Sequence, residues 1–307
     1  MNNFSIAVHG GAGTMDRSAI TAAMEREYLT ALERAIDAGF RLLSGGSSSL
    51  DAVEAAVMSL EDCPLFNAGK GSVFTHDGKH EMDASIMEGN SLNAGAVAGV
   101  QGIKNPVHLA RMVMEKSEHV LLCSSGAMEF AKKMNVAFEP DEYFFVQQRY
   151  DQLLAIRETG KTALDHSTEK KFGTVGAVAL DKHGNLAAAT STGGMTNKLY
   201  GRAGDPPVIG AGTYANNKTC AVSCTGHGEF FLRAVVAYDV SCLMEYKGMT
   251  LEQACHHVVM EKLVSIGGEG GIIAADTKGN ISFAFNSVGM YRGMRNSAGN
   301  SILSIYR

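Results

Sequence analysis

The stretch GTVGAVALDKHGNLAAATSTGG, residues 173–194, sets two apolar runs, VGAVAL and LAAAT, on either side of the turn cluster DKHGN. That pattern signals a β-hairpin. If the loop is Lys182, His183 and Gly184, Thr174 lies directly opposite Thr192 at the open end of the hairpin; a four-residue loop shifts its partner to Gly193. Directly opposed residues hold their Cβ atoms about 5 Å apart, close enough for one hydroxyl to orient another. Gly173 precedes Thr174, and a cut between them would leave a threonine whose own α-amine can take its hydroxyl proton. That amine titrates near pH 8, within reach of neutral solution. Taken alone, the same residues describe an ordinary strand start with a Thr–Thr cross-strand pair.

Outward from the hairpin, composition narrows the class. The chain has 307 residues, 45% of them hydrophobic, enough for a sizeable core in one large domain or two small ones. Net charge is −5 and no run of Lys or Arg exceeds two residues, so the basic footprint of a nucleic-acid binder is missing. The start, MNNFSIAVHGGAG, has neither a basic region nor a long apolar run, which reads as no secretory signal or membrane anchor and implies a cytoplasmic protein. Six irregularly spaced cysteines form no CxxC pair, and His256-His257 form no HExxH, so zinc is not supported and the thiols read as reduced and mostly buried. The 35 glycines cluster in HGGAG, STGG and GGEGG, where backbone approaches a ligand or a strand ends tightly.

FSIAV (4–8) reads as a strand, 18–44 as a long helix, and a second helix starts at Ser48 or Ser49 and stops before Pro64. SVFTH, HEMDASIM and AGAVAGV read as strands, followed by a helix over 106–116. Residues 151–172 carry many charges and little periodic apolar content, which predicts a solvated, mobile linker. After the hairpin come a Gly- and Pro-rich loop, the strand TCAVSCTG, a helix from HGEFF through LMEY, another over 250–263, and the strands GGIIAAD and ISFAFNS, which close the chain. Antiparallel pairs with helices grouped between them favour a layered α/β sandwich.

Thr225-Gly226 lies between a strand and a helix start. Its N–H groups and hydroxyl there could stabilise a developing oxyanion, or Thr225 could simply cap the helix. Arg202 and Asp205 in GRAGDPP are opposite charges on stiff backbone; they suit the carboxylate and ammonium of a free amino acid, or form a surface ion pair. Lys70 in FNAGKGSV is followed by Gly71, which fails the P-loop pattern, and neither GxGxxG nor GxSxG occurs.

HGGAG (9–13), FNAGKGSV (66–73), MDASIMEG (82–89), NAGAVAGV (93–100), GTVGAVALD (173–181), TSTGGMTNK (190–198), GRAGDPPVIGAGTYA and SCTGHGE together resemble the plant-type L-asparaginases, or isoaspartyl peptidases, of the N-terminal nucleophile hydrolase superfamily, over nearly the whole chain. The resemblance implies a four-layer αββα sandwich in one domain, self-cleaved into fragments 1–173 and 174–307 with 157–173 as a mobile linker, and paired into a dimer of heterodimers. It implies Thr174 as nucleophile, Thr192 as its polarising neighbour, and Thr225 and Gly226 as the oxyanion hole. Arg202 would hold the substrate α-carboxylate and Asp205 its α-ammonium, with Gly228 adding a backbone carbonyl and Asn67 lying near the Gly173–Thr174 cleavage site. No cofactor is implied for catalysis; a structural sodium ion would sit on main-chain carbonyls of Leu60, Glu61, Cys63, Phe66 and Ala68. The implied substrates are isoaspartyl dipeptides and L-asparagine. The rival readings are a glycosylasparaginase, or a non-catalytic small-ligand binding protein in which the chain stays intact.

Overall fold

The computed structural model describes residues 3–13, 20–158 and 173–307. Its strands, in chain order, are β1 (Ser5–Gly13), β2 (Met82–Glu88), β3 (Ala94–Val100), β4 (Leu121–Cys123), β5 (Val175–Leu180), β6 (Leu186–Thr192), β7 (Thr213–Ala215), β8 (Cys220–Gly226), β9 (Gly270–Asp276), β10 (Ile281–Phe285), β11 (Gly289–Asn296) and β12 (Ser301–Tyr306). Eight of them form one sheet in the order β12-β11-β1-β5-β6-β2-β3-β4, and four form a second in the order β10-β9-β8-β7. All the ladders are antiparallel except β3 with β4.

Helix α1 (Ala22–Gly45) starts at Thr21, whose side chain accepts from Met24 N, and ends at the left-handed Gly46. Helix α2 (Ser49–Glu61) opens on a capping box between Ser48 and Asp51, so Ser48 is the cap. Helix α3 (Pro106–Lys116) begins with proline in its first turn. Shorter helices α4 (Ser124–Lys133), α5 (Asp141–Phe144) and α6 (Gln147–Glu158) complete this half. In the second half, α7 (Gly228–Ala234) and α8 (Val236–Lys247) are separated by left-handed Val235, and α9 (Leu251–His256) passes through a π-turn over His257–Lys262 into α10 (Leu263–Ser265).

Side chains alternate along each strand, and the alternation sorts the core into three layers. Val175, Ala177, Ala179, Ala187 and Ala189 pack with Leu32, Val53, Val57 and Val107 of α1, α2 and α3 on the outside of the large sheet. Val178, Leu180, Leu186 and Ala188 face Ala221, Ile273 and Ala275 between the sheets. Val222 and Cys224 face Val236, Val240 and Cys255 outside the small sheet. The result is the αββα sandwich expected from sequence.

Several local expectations need correction. SVFTH is not a strand: within it only Thr75 makes an isolated bridge, to Lys198. Residues 151–158 are not linker but the end of α6, anchored by the buried Arg149 and Leu153; the rest of that stretch, up to 172, lies outside the described residues. ISFAFNS does not close the chain, because β11 and β12 follow and β11 pairs along the whole of β1. The helix after HGE breaks at Val235. The six cysteines are free, with Cys220, Cys224 and Cys255 buried, Cys63 and Cys242 intermediate and Cys123 exposed. Among the described residues no helix is long and apolar enough to cross a membrane.

Gly39 shows how tightly the outer layer sits. A Cβ there would lie 2.7 Å from the Ala52 carbonyl oxygen of α2 and 2.2 Å from Ile6 Cδ1. Gly39→Ala gains helix propensity but drives α1 and α2 apart, and a net loss of about 1–3 kcal/mol in urea unfolding is expected.

Candidate active site

β5 is paired on one side with β1 and on the other with β6, and its register with β6 runs from Val175↔Ser191 to Leu180↔Leu186. Of the two alignments open from sequence, this is the one that faces Thr174 with Thr192. Thr174 Oγ1 donates to Thr192 Oγ1 at 3.0 Å, and Thr192 Oγ1 also accepts from Gly194 N at 3.0 Å. Both threonines are buried at the open end of the hairpin.

Asn67 fastens the junction beside them. Its N–H donates to the Gly173 carbonyl at 3.0 Å, and its own carbonyl accepts from Gly193 N at 3.0 Å. Its side chain donates to the Gly194 carbonyl at 2.7 Å and accepts from Val73 N at 2.9 Å. A Cβ on Gly173 would come 2.6 Å from Asn67 Cβ, so glycine is needed for this approach.

Across the cleft, β8 ends in Thr225 and Gly226. Thr225 does not cap the helix; His227 is the residue before its first turn. Thr225 Oγ1 instead accepts from Ala12 N at 3.3 Å, which leaves its hydroxyl proton to donate elsewhere. Gly226 has φ 153°, and a Cβ there would lie 2.5 Å from the Glu269 carbonyl oxygen.

Arg202 and Asp205 come together with Gly228, since a Cβ on Gly228 would sit 2.8 Å from Asp205 Oδ1 and 2.9 Å from Arg202 Nη2. They are not a surface ion pair. Arg202 donates through Nε and Nη2 to the two carboxylate oxygens of Glu229, both at 2.9 Å. Against a burial that pushes it up, the His227 ring 3.2 Å away and this bidentate grip hold the Glu229 carboxyl well below the usual carboxylate range. Asp205 is buried, its Oδ2 has no hydrogen-bond partner, and burial pushes its carboxyl up to about 7. A buried carboxylate oxygen without a donor is costly unless something arrives to fill it, and a small cation fits that role.

The sequence profile of the asparaginase family matches residues 2–305. The chain belongs to that family. The isoaspartyl peptidase of Salmonella typhimurium is 54% identical over 312 residues, covering 100% of both chains. That of Escherichia coli (strain K12) is 53% identical over 312 residues, covering 100% of this chain and 97% of its own. The isoaspartyl peptidase/L-asparaginase of Homo sapiens is 43% identical over 290 residues, covering 94% and 92% respectively.

Within this member of the family, every residue singled out for chemistry falls at the ends of β5, β6 and β8 or in the loops beside them, apart from the segment 60–68. That segment follows the end of α2, and its Asn67 reaches the junction at Gly173, Gly193 and Gly194. There Gly69 and Gly71 bring carbonyls close: a Cβ on Gly69 would lie 2.5 Å from Glu61 O, and one on Gly71 2.1 Å from Phe66 O. The carbonyls of Leu60, Cys63, Phe66 and Ala68 each already accept one backbone N–H, so an ion there would have to use their second lone pairs. The Glu61 side chain turns inward, accepts from Val107 N at 3.0 Å, and is pushed by burial up to about 8.

Sequence reasoning missed Glu229, although HGE was in view, because nothing local says that its partner lies 27 positions earlier. It also missed Asp83 and Lys198. Asp83 sits opposite Thr192 on β2, accepts from Gly99 N at 2.8 Å, and is shifted upward by burial. Lys198 is buried, donates to the Glu81 carbonyl at 2.8 Å, and is shifted downward by burial.

The Asp205 shift has a measurable sign. Between the unfolded carboxyl range near 4 and the folded value, the native state retains a proton that the unfolded state has lost, so stability falls as pH rises. Thermal unfolding of Thr174→Ala is expected to lose about 2–4 kcal/mol more between pH 4 and 7 than that of Thr174→Ala/Asp205→Asn, which has no carboxyl at that position.

Proposed function

We propose that this chain is an isoaspartyl peptidase with L-asparaginase activity, matured by its own cleavage between Gly173 and Thr174. The observation that carries the reading is the Thr174 hydroxyl set on Thr192 Oγ1 at 3.0 Å, directly after a Gly173 carbonyl held by the Asn67 N–H. In the intact chain the Thr174 hydroxyl attacks that carbonyl, which the Asn67 N–H polarises, and water releases the fragment ending at Gly173. The amine so freed becomes the base for turnover.

Isoaspartyl dipeptides and L-asparagine present the same free α-amino and α-carboxylate groups. Asp205 receives the ammonium on its unfilled Oδ2, the Gly228 carbonyl assists, and Arg202, steadied by Glu229, offers its Nη1 side to the carboxylate. Thr174 attacks the side-chain carbonyl, the Thr225 hydroxyl and Gly226 N–H stabilise the oxyanion, and an amino acid or ammonia leaves. Water then opens the β-aspartyl ester to release aspartate. No cofactor takes part; a sodium ion on the carbonyls of Leu60, Glu61, Cys63, Phe66 and Ala68 would stiffen the segment leading to Asn67.

Fragments 1–173 and 174–307 stay together in this reading because β5 lies between β1 of one fragment and β6 of the other, within one sheet. The mature enzyme is a dimer of such heterodimers in the cytoplasm.

Denatured intact mass after incubation at neutral pH tests the maturation: two fragments meeting at Gly173 and Thr174 in the wild type, one chain in Thr174→Ala. A wild-type chain that stays whole would sink the reading. For the mature enzyme, kcat/KM toward an isoaspartyl dipeptide should rise as pH increases through about 7, since the carboxylate of Asp205 is needed for the ammonium and is neutral below that value. A profile flat from pH 5.5 to 8.5 would remove Asp205 from that role.

A further inference from the structure

Beneath the cleft lies a buried polar row that no step above uses. The registers His9↔Gly176, Gly176↔Thr190 and Ser85↔Thr190 place these four residues side by side across β1, β5, β6 and β2. On the opposite sheet Ser223 of β8 pairs with Thr213 of β7. His9, Ser85, Thr190, Thr213 and Ser223 are all completely buried. Farther along the same strands the inter-sheet positions are the apolar Ala7, Val178, Ala188 and Met87. The polar cluster is therefore confined to the end of the sandwich that holds Thr174.

The cluster is continuous. His9 Nδ1 lies 3.0 Å from the Thr174 carbonyl oxygen and His9 Nε2 2.9 Å from Ser223 Oγ. Ser223 Oγ is 2.7 Å from Thr190 Oγ1, which is 2.5 Å from Thr213 Oγ1, which is 2.8 Å from Ser85 Oγ. The single Ser85 proton is shared between Thr213 Oγ1 and the Pro206 carbonyl, 2.5 Å away and next to Asp205. A carbonyl oxygen can only accept, so Nδ1 carries the proton on His9. Burial keeps the ring neutral, with its pKa pushed down to about 3, so Nε2 must accept from Ser223. Gly176 leaves the space for that bond: a Cβ there would lie 2.0 Å from Ser223 Oγ and 2.5 Å from His9 Nε2.

We propose that His9 is a positioning residue for the nucleophile, holding Thr174 by its main-chain carbonyl, and that the hydroxyl chain through Ser223, Thr190, Thr213 and Ser85 ties that hold to the loop carrying Arg202 and Asp205. Its role in catalysis rests on the function proposed above. With Nε2 and the Pro206 carbonyl both accepting, the four hydroxyls have four protons for five contacts, so every donor must point toward His9 with the Ser85 proton shared; so constrained a buried network fixes the backbone it touches. None of these side chains reaches the substrate; they act through where Thr174 and the loop after Asp205 sit. A misplacement on the order of 1 Å in a reacting group costs about a hundredfold in rate.

Paired substitutions at Thr190 separate hydrogen bonding from packing. Thr190→Val keeps the shape and removes the hydroxyl, whereas Thr190→Ser keeps the hydroxyl and removes a methyl. After intact mass has confirmed fragment formation, kcat and KM toward an isoaspartyl dipeptide should show kcat reduced about tenfold or more in Thr190→Val and within about threefold of wild type in Thr190→Ser. The reverse order would overturn the proposal, because it marks the site as packing alone. Ring 15N spectra of the labelled wild-type protein supply a readout independent of activity. The His9 signal, assigned by its loss in His9→Asn, should report a neutral ring protonated at Nδ1, and its Nε2 shift should move in Ser223→Ala. A ring protonated at Nε2, or a shift indifferent to Ser223→Ala, would refute the clamp. If the wild type hydrolyses neither an isoaspartyl dipeptide nor asparagine, the functional reading fails while these spectra still decide whether His9 holds Thr174.

Discussion

Val175 pairs with Ser191 and Leu180 with Leu186, and nearly everything at the cleft depends on that alignment of β5 with β6. Strand side chains alternate with period two, so a slip of one residue would turn Thr174, Gly176 and Val178 from the space between the sheets toward the helices of the outer layer. The apolar pattern resists such a slip, because Val175, Ala177 and Ala179 already fill the core under α1 and α2. Turn chemistry reinforces it. Asp181 N donates to the Asn185 carbonyl, and the Asp181 carboxylate accepts from His183 N and Asn185 N. Asp181 also accepts from Ser49 N at the start of α2, so the closed end of the hairpin and the helix beneath it share one carboxylate.

Charge in the cleft is arranged at a cost to the fold. Asp83, Lys198 and Asp205 are all buried, and burial shifts each toward its neutral form. Arg202 has two of its donors satisfied by Glu229, which is half-exposed. The site thus combines one cation already satisfied by the protein with one carboxylate oxygen left open. A free amino-acid end, carrying both charges, complements the two without demanding movement of either.

Much of this was legible in the sequence, for physical reasons that can be named. The hairpin is local: its turn residues and apolar runs lie within one short segment, so its pairing could be worked out to within one residue. Helix α2 announced itself through Ser48 and a stripe at helical spacing. Thr192, Arg202 and Asp205 were visible because they follow the hairpin closely in the chain. What escaped notice depends on distant segments meeting. Glu229 reaches Arg202, and His9 reaches Ser223, only after β8 has been laid across the large sheet. β11 and β12 were overlooked because their alternation is broken by arginines such as Arg292 and Arg295, whose guanidinium groups lie over Phe285 and Phe40. SVFTH has the composition of a strand, but Asn67 and Lys198 occupy its backbone groups, through Val73 N and His76 N. The linker reading failed at 151–158 because a helix anchored by Leu153 and Arg149 needs only one thin apolar edge.

β1 sits between β11 and β5, so Ser5 is bonded across to Asn296 on one side and Leu180 on the other. β1 is therefore an interior strand of the large sheet, held by β5 and β11 from the two ends of the second half of the chain. The centre of the large sheet, β1-β5-β6-β2, is made from residues up to Thr192, whereas the far wall of the cleft depends on β8. The threonine site is thereby divided between two layers: Thr174 meets Thr192 within the large sheet alone, whereas Thr225 and Gly226 face them only once the second sheet is laid across.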